Sequence, residues 1–270
     1  MAVTDITLTS GMRANLISLQ STVELLNRTQ ERLATGKKVN SPLDNATNYF
    51  VAKSHLDRAS DLAIRKDGMS EAIQTVKAAN EGIEAIQQLI ESAKSLAQSA
   101  YSAGATGVST LAAQFNEILD QIDNVALDST YKGTNLLGND DLTVVFNEDG
   151  SSTLTITGFD ASSDGDLNIS DASGWDTPSN IDTAVDELDA ALKTLRTQAS
   201  ALSAGMNVIT TRNEFTEGMV NILSAGADNL TAADTNEEGA NMLMLQVRQA
   251  LGTTALSLSA QAAQSVLRLF

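Results

Sequence analysis

Several residue types that carry chemistry in proteins are rare or missing in this sequence. It has no cysteine, which excludes disulfides, thiolate metal sites and cysteine nucleophiles. Its one histidine, His55, belongs to no H-E-x-x-H pattern, so we expect no zinc-protease site. Seventeen basic residues stand against 34 acidic ones, and the net charge of −17 argues against nucleic acid or an anionic membrane surface as a partner.

No segment of the sequence reads as a membrane or signal sequence. No apolar run approaches the roughly 20 residues that a membrane-spanning helix needs. The start, MAVTDITLTSGMR, lacks a basic region followed by an apolar core. We therefore expect no cleavable signal peptide, and any export must use a route that reads no such signal.

What the sequence does contain is a long apolar ladder at each end. The N-terminal ladder, in which Gln30 is the only polar member, comprises Met12, Leu16, Leu19, Val23, Leu26 and Leu33. The C-terminal ladder comprises Met244, Val247, Leu251, Ala255, Leu258, Ala262, Val266 and Leu269. Steps of three and four place each ladder on one stripe of a helix, and each stripe predicts a partner helix.

Between the ladders the sequence predicts further helices. The first helix should cover about residues 5–35, because Gly36 is well placed to end it. Ser41-Pro42 reads as a cap and first helical residue, which predicts a second helix from Pro42 to Tyr101. A third helix should carry the apolar stripe from Leu111 to Val125. Thr177-Pro178 repeats the cap signal and opens another long helix, with a weak boundary at residues 234–241 before the last one.

Residues 129–176 change character. Apolar residues recur every second position in Leu142, Val144 and Phe146 and again in Leu154 and Ile156. The turn-forming sequence Asn-Glu-Asp-Gly separates the two runs, which predicts a β-hairpin. The polar stretch that follows is typical of a loop, with a possible short strand from Leu167 to Ile169.

The predicted fold is mainly α, with antiparallel coiled-coil termini, an elongated helical bundle and a small β-hairpin insertion. Residues 1–36 and 235–270 would form the terminal coiled-coil domain. Residues 37–128 and 177–234 would form the bundle domain, into which residues 129–176 are inserted.

Three segments resemble bacterial flagellins, the subunits of the flagellar filament. LNRTQERLATGKKVNSPLDNA, residues 26–46, resembles the family's helix–spoke–helix signature. EGANMLMLQVRQALGTTALSLSAQAAQSVLRLF, residues 238–270, resembles its terminal helix. YKGTNLLG, residues 131–138, is similar to the segment that enters the family's hairpin. The short insertion implies a flagellin without large outer domains.

The resemblance implies secretion through the flagellar type III channel and assembly into an extracellular filament for motility. The main partner would be the chain itself, as a helical homopolymer built through the two terminal ladders. An export chaperone, a filament cap and hook-junction proteins are further implied partners. Many flagellins also carry a motif that a vertebrate Toll-like receptor recognises; here Glu91 stands in place of its arginine and Ser95 in place of a leucine, which predicts poor receptor activation.

The sequence shows no assembled active site and no phosphate-binding loop, so we expect neither an enzyme nor a cofactor. One stretch has the spacing of a calcium loop, with Gly165 at the turn and an aspartate where such loops place a bidentate glutamate. Its candidate ligands are Asp160, Ser162, Asp164, Asp166, Asn168 and Asp171. Chance is the competing explanation, since Asp-Gly-Ser loops are common and no helices are expected to flank this one.

Two other functions compete with that of a filament subunit. A hook–filament junction protein would share the terminal helices without forming a long polymer. A secreted adhesin would need a larger exposed domain rich in aromatic residues, whereas the whole chain has ten aromatics. The similarity along the helix–spoke–helix segment and the small middle favour the filament subunit.

Overall fold

The computed structural model describes residues 10–267, and their side chains through residue 265. Five helices account for most of this length: α1 (Ser10–Thr35), α2 (Ala46–Ala100), α3 (Ala105–Asp128), α4 (Pro178–Thr231) and α5 (Thr235–Leu267). Two short strands, β1 (Leu142–Val145) and β2 (Thr153–Ile156), and a 3₁₀ turn at Ala172–Gly174 lie between α3 and α4. The mainly helical fold and the hairpin are as predicted.

The described chain forms two compact units. One unit, the terminal unit, draws on the two ends of the chain, up to Asp57 and from Ile222. The other, the middle unit, comprises Arg58–Asn221, so the division falls within α2 and within α4. The three-part domain scheme proposed from the sequence stays a prediction.

The middle unit holds the large apolar core. Residues of α2, α3 and α4 at spacings of three and four are almost completely buried, among them Ile83, Ile90, Phe115, Leu188 and Leu195. This burial is the consequence of the helical periodicity seen in the sequence. Within this unit α2 and α4 run antiparallel: Lys94 pairs with Asp189 at 2.5 Å, and Lys66 pairs with Glu217 at 3.4 Å.

The hairpin pairs antiparallel in the register Leu142↔Ile156, Thr143↔Thr155, Val144↔Leu154 and Val145↔Thr153. Val144, Phe146 and Ile156 are buried, whereas Thr143 and Thr155 face solvent and their hydroxyls lie 3.1 Å apart. The alternation predicted from the sequence is confirmed. The turn residue Gly150 has a φ of +76°, which glycine adopts without strain.

The predicted strand at Leu167–Ile169 is wrong. Both side chains are buried, at 2% exposure, but the backbone is held by local turns and not by a neighbouring strand, since the amide of Ile169 donates to the carbonyl of Ser163 at 2.8 Å. Side chains of the bundle hold the residues on either side. The Asp123 carboxylate accepts from the amide of Ser163 at 2.6 Å, and Glu187 accepts from the amide of Ser170 at 2.8 Å. Local turns and side-chain acceptors thus take the place of hydrogen bonds to a neighbouring strand.

The start of α2 also differs from the prediction. The helix begins at Ala46, not at Pro42, because the Asp44 side chain bonds backward and closes a separate turn. The cap is Asn45, whose Oδ1 accepts from the amide of Asn48 at 3.0 Å. By contrast α1 ends at Thr35 as predicted, followed by Gly36 with a φ of +68°.

Candidate assembly surface

The terminal unit is built on the antiparallel pairing of α1 and α5. Nη1 of Arg32 lies 3.0 Å from Oε1 of Glu238. Leu19 packs on Gly252, where a Cβ atom would lie 2.7 Å from Cδ1 of Leu19. The residue nearer the end of α1, Arg32, contacts the residue nearer the start of α5, Glu238, and Leu19 contacts Gly252 further along. The two helices therefore run antiparallel, as predicted from the sequence.

Few side chains are fully buried in this helix pair. They are Thr22 and Thr29 in α1 and Glu238 and Leu245 in α5, counted among the side chains that the structure describes in these two helices. Thr22 donates its hydroxyl hydrogen to the carbonyl of Ser18 at 2.8 Å, so its polar group is satisfied and its methyl can pack. The pairing therefore depends on small and polar residues as much as on leucines.

The structure places the predicted C-terminal ladder largely outside this pairing. Met244, Val247, Leu251 and Leu258 are 51, 59, 65 and 62% exposed. At about 100° per residue, they lie roughly 120° around α5 from Leu245 and Gly252, which face α1. Of the remaining members, the side chain of Val266 and the whole of Leu269 lie outside the described residues.

The predicted N-terminal ladder is partly half-buried and partly exposed. Leu19, Val23, Leu26 and Met12 are half-buried, whereas Leu16 and Leu33 are 39 and 36% exposed. Thr22 and Thr29, which sequence reasoning did not select, occupy the most buried positions of α1. Their spacing of seven residues was the available signal, since it places both on one side of a helix.

A hydrogen-bonded spoke joins the pair to α2. The carbonyl of Thr231 accepts from the amides of Lys38 at 2.7 Å and Val39 at 3.3 Å, and the amide of Ala233 donates to Gly36 at 2.8 Å. These bonds pair the segment after α1 with the segment before α5. The sequence predicted the spoke but not this backbone pairing.

The spoke ends in a turn closed by one carboxylate. Oδ2 of Asp44 accepts from the amide of Asn40 at 3.1 Å, the amide of Ser41 at 3.0 Å and the Oγ of Ser41 at 3.1 Å. The amide of Ser41, followed by that of Asn40, holds the pKa of Asp44 below its ordinary value of 3.8, because both bonds favour the ionised form.

The calcium-loop candidates bond mainly to their own backbone. Oδ1 of Asp160 accepts from the amide of Ser162 at 3.0 Å, and Asp166 accepts from the amide of Asp160 at 3.1 Å. Asp171 caps the 3₁₀ turn by accepting from the amide of Ser173. Among residues 10–267 no three acidic or histidine side chains form a group that could hold a metal ion. Calcium binding by this loop stays a prediction.

The two receptor-motif positions, Glu91 and Ser95, are exposed on the middle part of α2, four residues apart and thus on one side of the helix. His55 is half-buried elsewhere on α2, and its ring lies 3.8 Å from the position that a Cβ of Gly226 would take. None of the helices in the described range is long and apolar enough to cross a membrane.

Comparison with known proteins agrees with this architecture. Residues 7–141 match the family described as the bacterial flagellin N-terminal helical region, and residues 185–270 match the bacterial flagellin C-terminal helical region. The chain is 30% identical to flagellin FljM of Caulobacter vibrioides over the full length of both chains. It is 30% identical to a flagellin of Brucella melitensis, covering 94% of this chain and 95% of that one.

Among solved structures, the crystal structure of Bacillus cereus flagellin aligns with 55% of this chain and 88% of its own, at 14% identity and a TM-score of 0.49. The two family matches together cover both terminal helices, and the relatives match along their whole lengths. The chain therefore belongs to the bacterial flagellin family, the structural subunits of the flagellar filament.

Proposed function

We propose that this flagellin polymerises through the uncovered apolar side of α5, which we name the α5 stripe: Met244, Val247, Leu251 and Leu258. One observation carries the proposal. Each of these four side chains is more than half exposed, although α5 already packs its other side on α1. Large apolar surfaces left open on a soluble chain mark interaction sites.

The α5 stripe suits a polymer contact because it carries no charge in a chain of net charge −17. Repulsion between like-charged copies would oppose assembly, and an uncharged stripe adds no such repulsion at the contact. Two members of the N-terminal ladder on α1, Leu16 and Leu33, are exposed as well. Neighbouring copies would bury both.

In this proposal the terminal unit forms the inner tube of the filament and the helical bundle forms the outer tube. A contact between two different surfaces of identical copies generates an open helical polymer when its rotation does not close into a ring, and we propose that arrangement here. Export through the flagellar type III channel, and binding to a chaperone, a filament cap and hook-junction proteins, belong to the same proposal. We further infer that the chain has no catalytic activity.

The test is the concentration at which filaments form. Leu251→Ser should raise it roughly tenfold or more, because burying a leucine contributes about 1.5–3 kcal/mol. Leu127→Ser is the matched control, since Leu127 is 68% exposed, like Leu251 at 65%, but lies in the middle unit. Electron microscopy and sedimentation measure both. Equal effects of the two substitutions would refute the role of the α5 stripe.

The same measurement addresses the hook-junction alternative. A filament subunit forms long polymers from purified protein after salt-induced assembly, whereas a junction protein forms short polymers or none. The relatives compared above are both flagellins by name, and no observation favours the junction protein.

A further inference from the structure

Leu43 is 98% exposed, more than any other large apolar residue that the structure describes as exposed. Single exposed leucines are normal on protein surfaces and usually need no explanation. Leu43 differs because of the turn that carries it. It lies between Pro42 and Asp44, at the tip of the turn formed by residues 40–44, which we name the Leu43 turn.

The backbone of the Leu43 turn is held in place on both sides of the leucine. The amide of Asp44 donates to the carbonyl of Ser41 at 3.1 Å, and Oδ2 of Asp44 accepts from the amides of Asn40 and Ser41. Pro42 fixes its own φ. Asn40 adds a bond from its side chain to the carbonyl of Lys37 at 3.2 Å. Leu43 is thus presented on a preorganised turn, which lowers the entropy lost on binding.

A pocket of about 300 Å³ lies nearby in the same terminal unit, and we name it the Val39 pocket. Val39 and Ala52, which line it, are almost completely buried, at 5 and 3% exposure. Tyr49 and Leu56 also line it, and Leu56 is 44% exposed. The apolar part of the lining that an aliphatic side chain can contact therefore comes mainly from Tyr49 and Leu56, and the exposed Leu43 of the same chain does not cover it.

The turn carries a negative charge, whereas the charged residues that line the Val39 pocket are two lysines and Asp57. The Asp44 carboxylate is exposed beside Leu43, and the hydrogen bonds to Oδ2 favour its ionised form. Lys37 and Lys53, both exposed, are among the residues that line the Val39 pocket. Lys53 lies 3.6 Å from Asp57 in a solvent-exposed pair, which is weak and can exchange partners.

We propose that Leu43 of one copy enters the Val39 pocket of a neighbouring copy in the filament, with Asp44 placed against Lys37 or Lys53 of that neighbour. The occupant is a second copy of this chain because the apolar and charged features of the turn match those of the pocket. In the proposed contact the turn of each copy enters one neighbour and its pocket receives the turn of another, which is a heterologous arrangement and can extend along a filament. This inference rests on the proposed polymerisation, and it adds a contact separate from the α5 stripe.

The absence of native cysteine allows a direct test by disulfide cross-linking. Two single variants, Leu43→Cys and Leu56→Cys, are mixed in equal amounts, polymerised and oxidised mildly. A disulfide between the two variants can form only between copies, because neither chain carries both cysteines. We expect a covalent dimer in the mixed filaments and at least tenfold less in filaments of either variant alone.

The control replaces Leu43→Cys with Leu127→Cys, which places an exposed cysteine in the middle unit. Filaments of Leu127→Cys mixed with Leu56→Cys should give no more dimer than the single variants. Filaments that form normally and show no excess of the Leu43–Leu56 dimer over this control would overturn the inference while leaving the proposed function intact. Failure of the unsubstituted protein to form filaments would instead contradict the proposed function.

A second measurement covers the case in which Leu43→Cys impairs assembly itself. Leu43→Ser should raise the concentration at which filaments form roughly tenfold, since a buried leucine loses its apolar contact. Its side chain is fully exposed in the single chain, so circular dichroism of the monomer should be unchanged. An assembly concentration equal to that of Leu127→Ser would overturn the inference.

Discussion

Leu19 of α1 packs directly on the backbone of Gly252 in α5, where a Cβ atom would approach Cδ1 of Leu19 to 2.7 Å. That distance is shorter than two carbon atoms tolerate, so the end of the Leu19 side chain occupies the space that a side chain at residue 252 would need. Arg32 and Glu238, 3.0 Å apart, fix the same pairing about one helical turn from the spoke. Together these two contacts determine which side of α5 remains open.

The first prediction concerns Gly252→Ala. In the open middle of a helix, alanine stabilises relative to glycine by roughly 0.5–1 kcal/mol, whereas overpacking costs about 1–3 kcal/mol. We expect filaments of Gly252→Ala to melt at a lower temperature than filaments of Gly239→Ala, as measured by circular dichroism.

Gly239 is the matched control because it lies on the same helix and an added Cβ would meet nothing within 4 Å. Gly239→Ala should therefore show only the gain from helix propensity. If the two variants melted at the same temperature, the close approach of Leu19 would have no energetic importance.

The periodicity of apolar residues made the helices and the hairpin predictable, but it did not show which side of α5 faces α1. The helical stripes and the alternation of Leu142, Val144 and Phe146 follow from burial on one side, which leaves a repeat in the sequence. The rotation of α5 about its own axis cannot be read from such a repeat, because α5 is apolar on two sides. Leu245 and Leu251 are equally good core residues by composition, yet Leu245 is 4% exposed and Leu251 is 65% exposed.

The loop after the hairpin shows a second limit. Its polar composition predicts solvent exposure, but Ser163, Leu167 and Trp175 are all buried. Polar residues are tolerated there because acceptors on distant helices satisfy their backbone amides, as Asp123 does for Ser163. Local sequence carries no sign of a partner 40 residues away. The same reason explains why the spoke's pairing with Thr231 was missed.

The second prediction tests that distant acceptor. Asp123→Ala should lower the free energy of unfolding by about 1–3 kcal/mol, because the amide and hydroxyl of the buried Ser163 lose their partner. Denaturant unfolding followed by circular dichroism measures the change. Asp120→Ala is the control, since Asp120 is exposed on the same helix one turn earlier. A loss as large in Asp120→Ala would show that the effect is one of charge or helix propensity.

The third prediction concerns the pH dependence of the Leu43 turn. Hydrogen bonds to the ionised carboxylate hold the pKa of Asp44 below 3.8, so the stability they contribute is complete above pH 3.8. It is lost as the pH falls through the lower pKa of the folded state. We expect the amide proton resonances of Asn40 and Ser41 to shift together below pH 3.8.

Nuclear magnetic resonance titration of those two amides gives the midpoint directly. In Asp44→Asn the two resonances should show no such transition, because the titrating group is absent. A wild-type midpoint at or above 3.8 would contradict the assignment of Asp44 as the group that closes the turn.

The fourth prediction compares the terminal helices in the monomer and the filament. Only four side chains among those described in α1 and α5 are fully buried, and an isolated helix pair of this kind is marginally stable in water. Amide exchange of α1 and α5 should be fast in the monomer and strongly slowed in filaments, because assembly supplies the missing contacts. The core of the middle unit, for example Ile83 and Leu195, serves as the internal reference. Equal protection of both regions in the monomer would contradict assembly-driven ordering.

The fifth prediction concerns the vertebrate Toll-like receptor implied by the family resemblance. Glu91 and Ser95 are exposed on one side of α2, where the receptor motif has an arginine and a leucine. A reversed charge and a lost apolar contact should each weaken a binding hot spot by about 1 kcal/mol or more, which lowers the affinity roughly 30-fold or more when the two are combined. The native chain should therefore activate receptor-bearing reporter cells poorly, and Glu91→Arg with Ser95→Leu should activate them more strongly.

Glu84→Arg with Ser92→Leu, which makes the same changes at other exposed positions of α2, should have no effect. A native response as strong as that of a motif-bearing flagellin would show that these two positions do not control recognition.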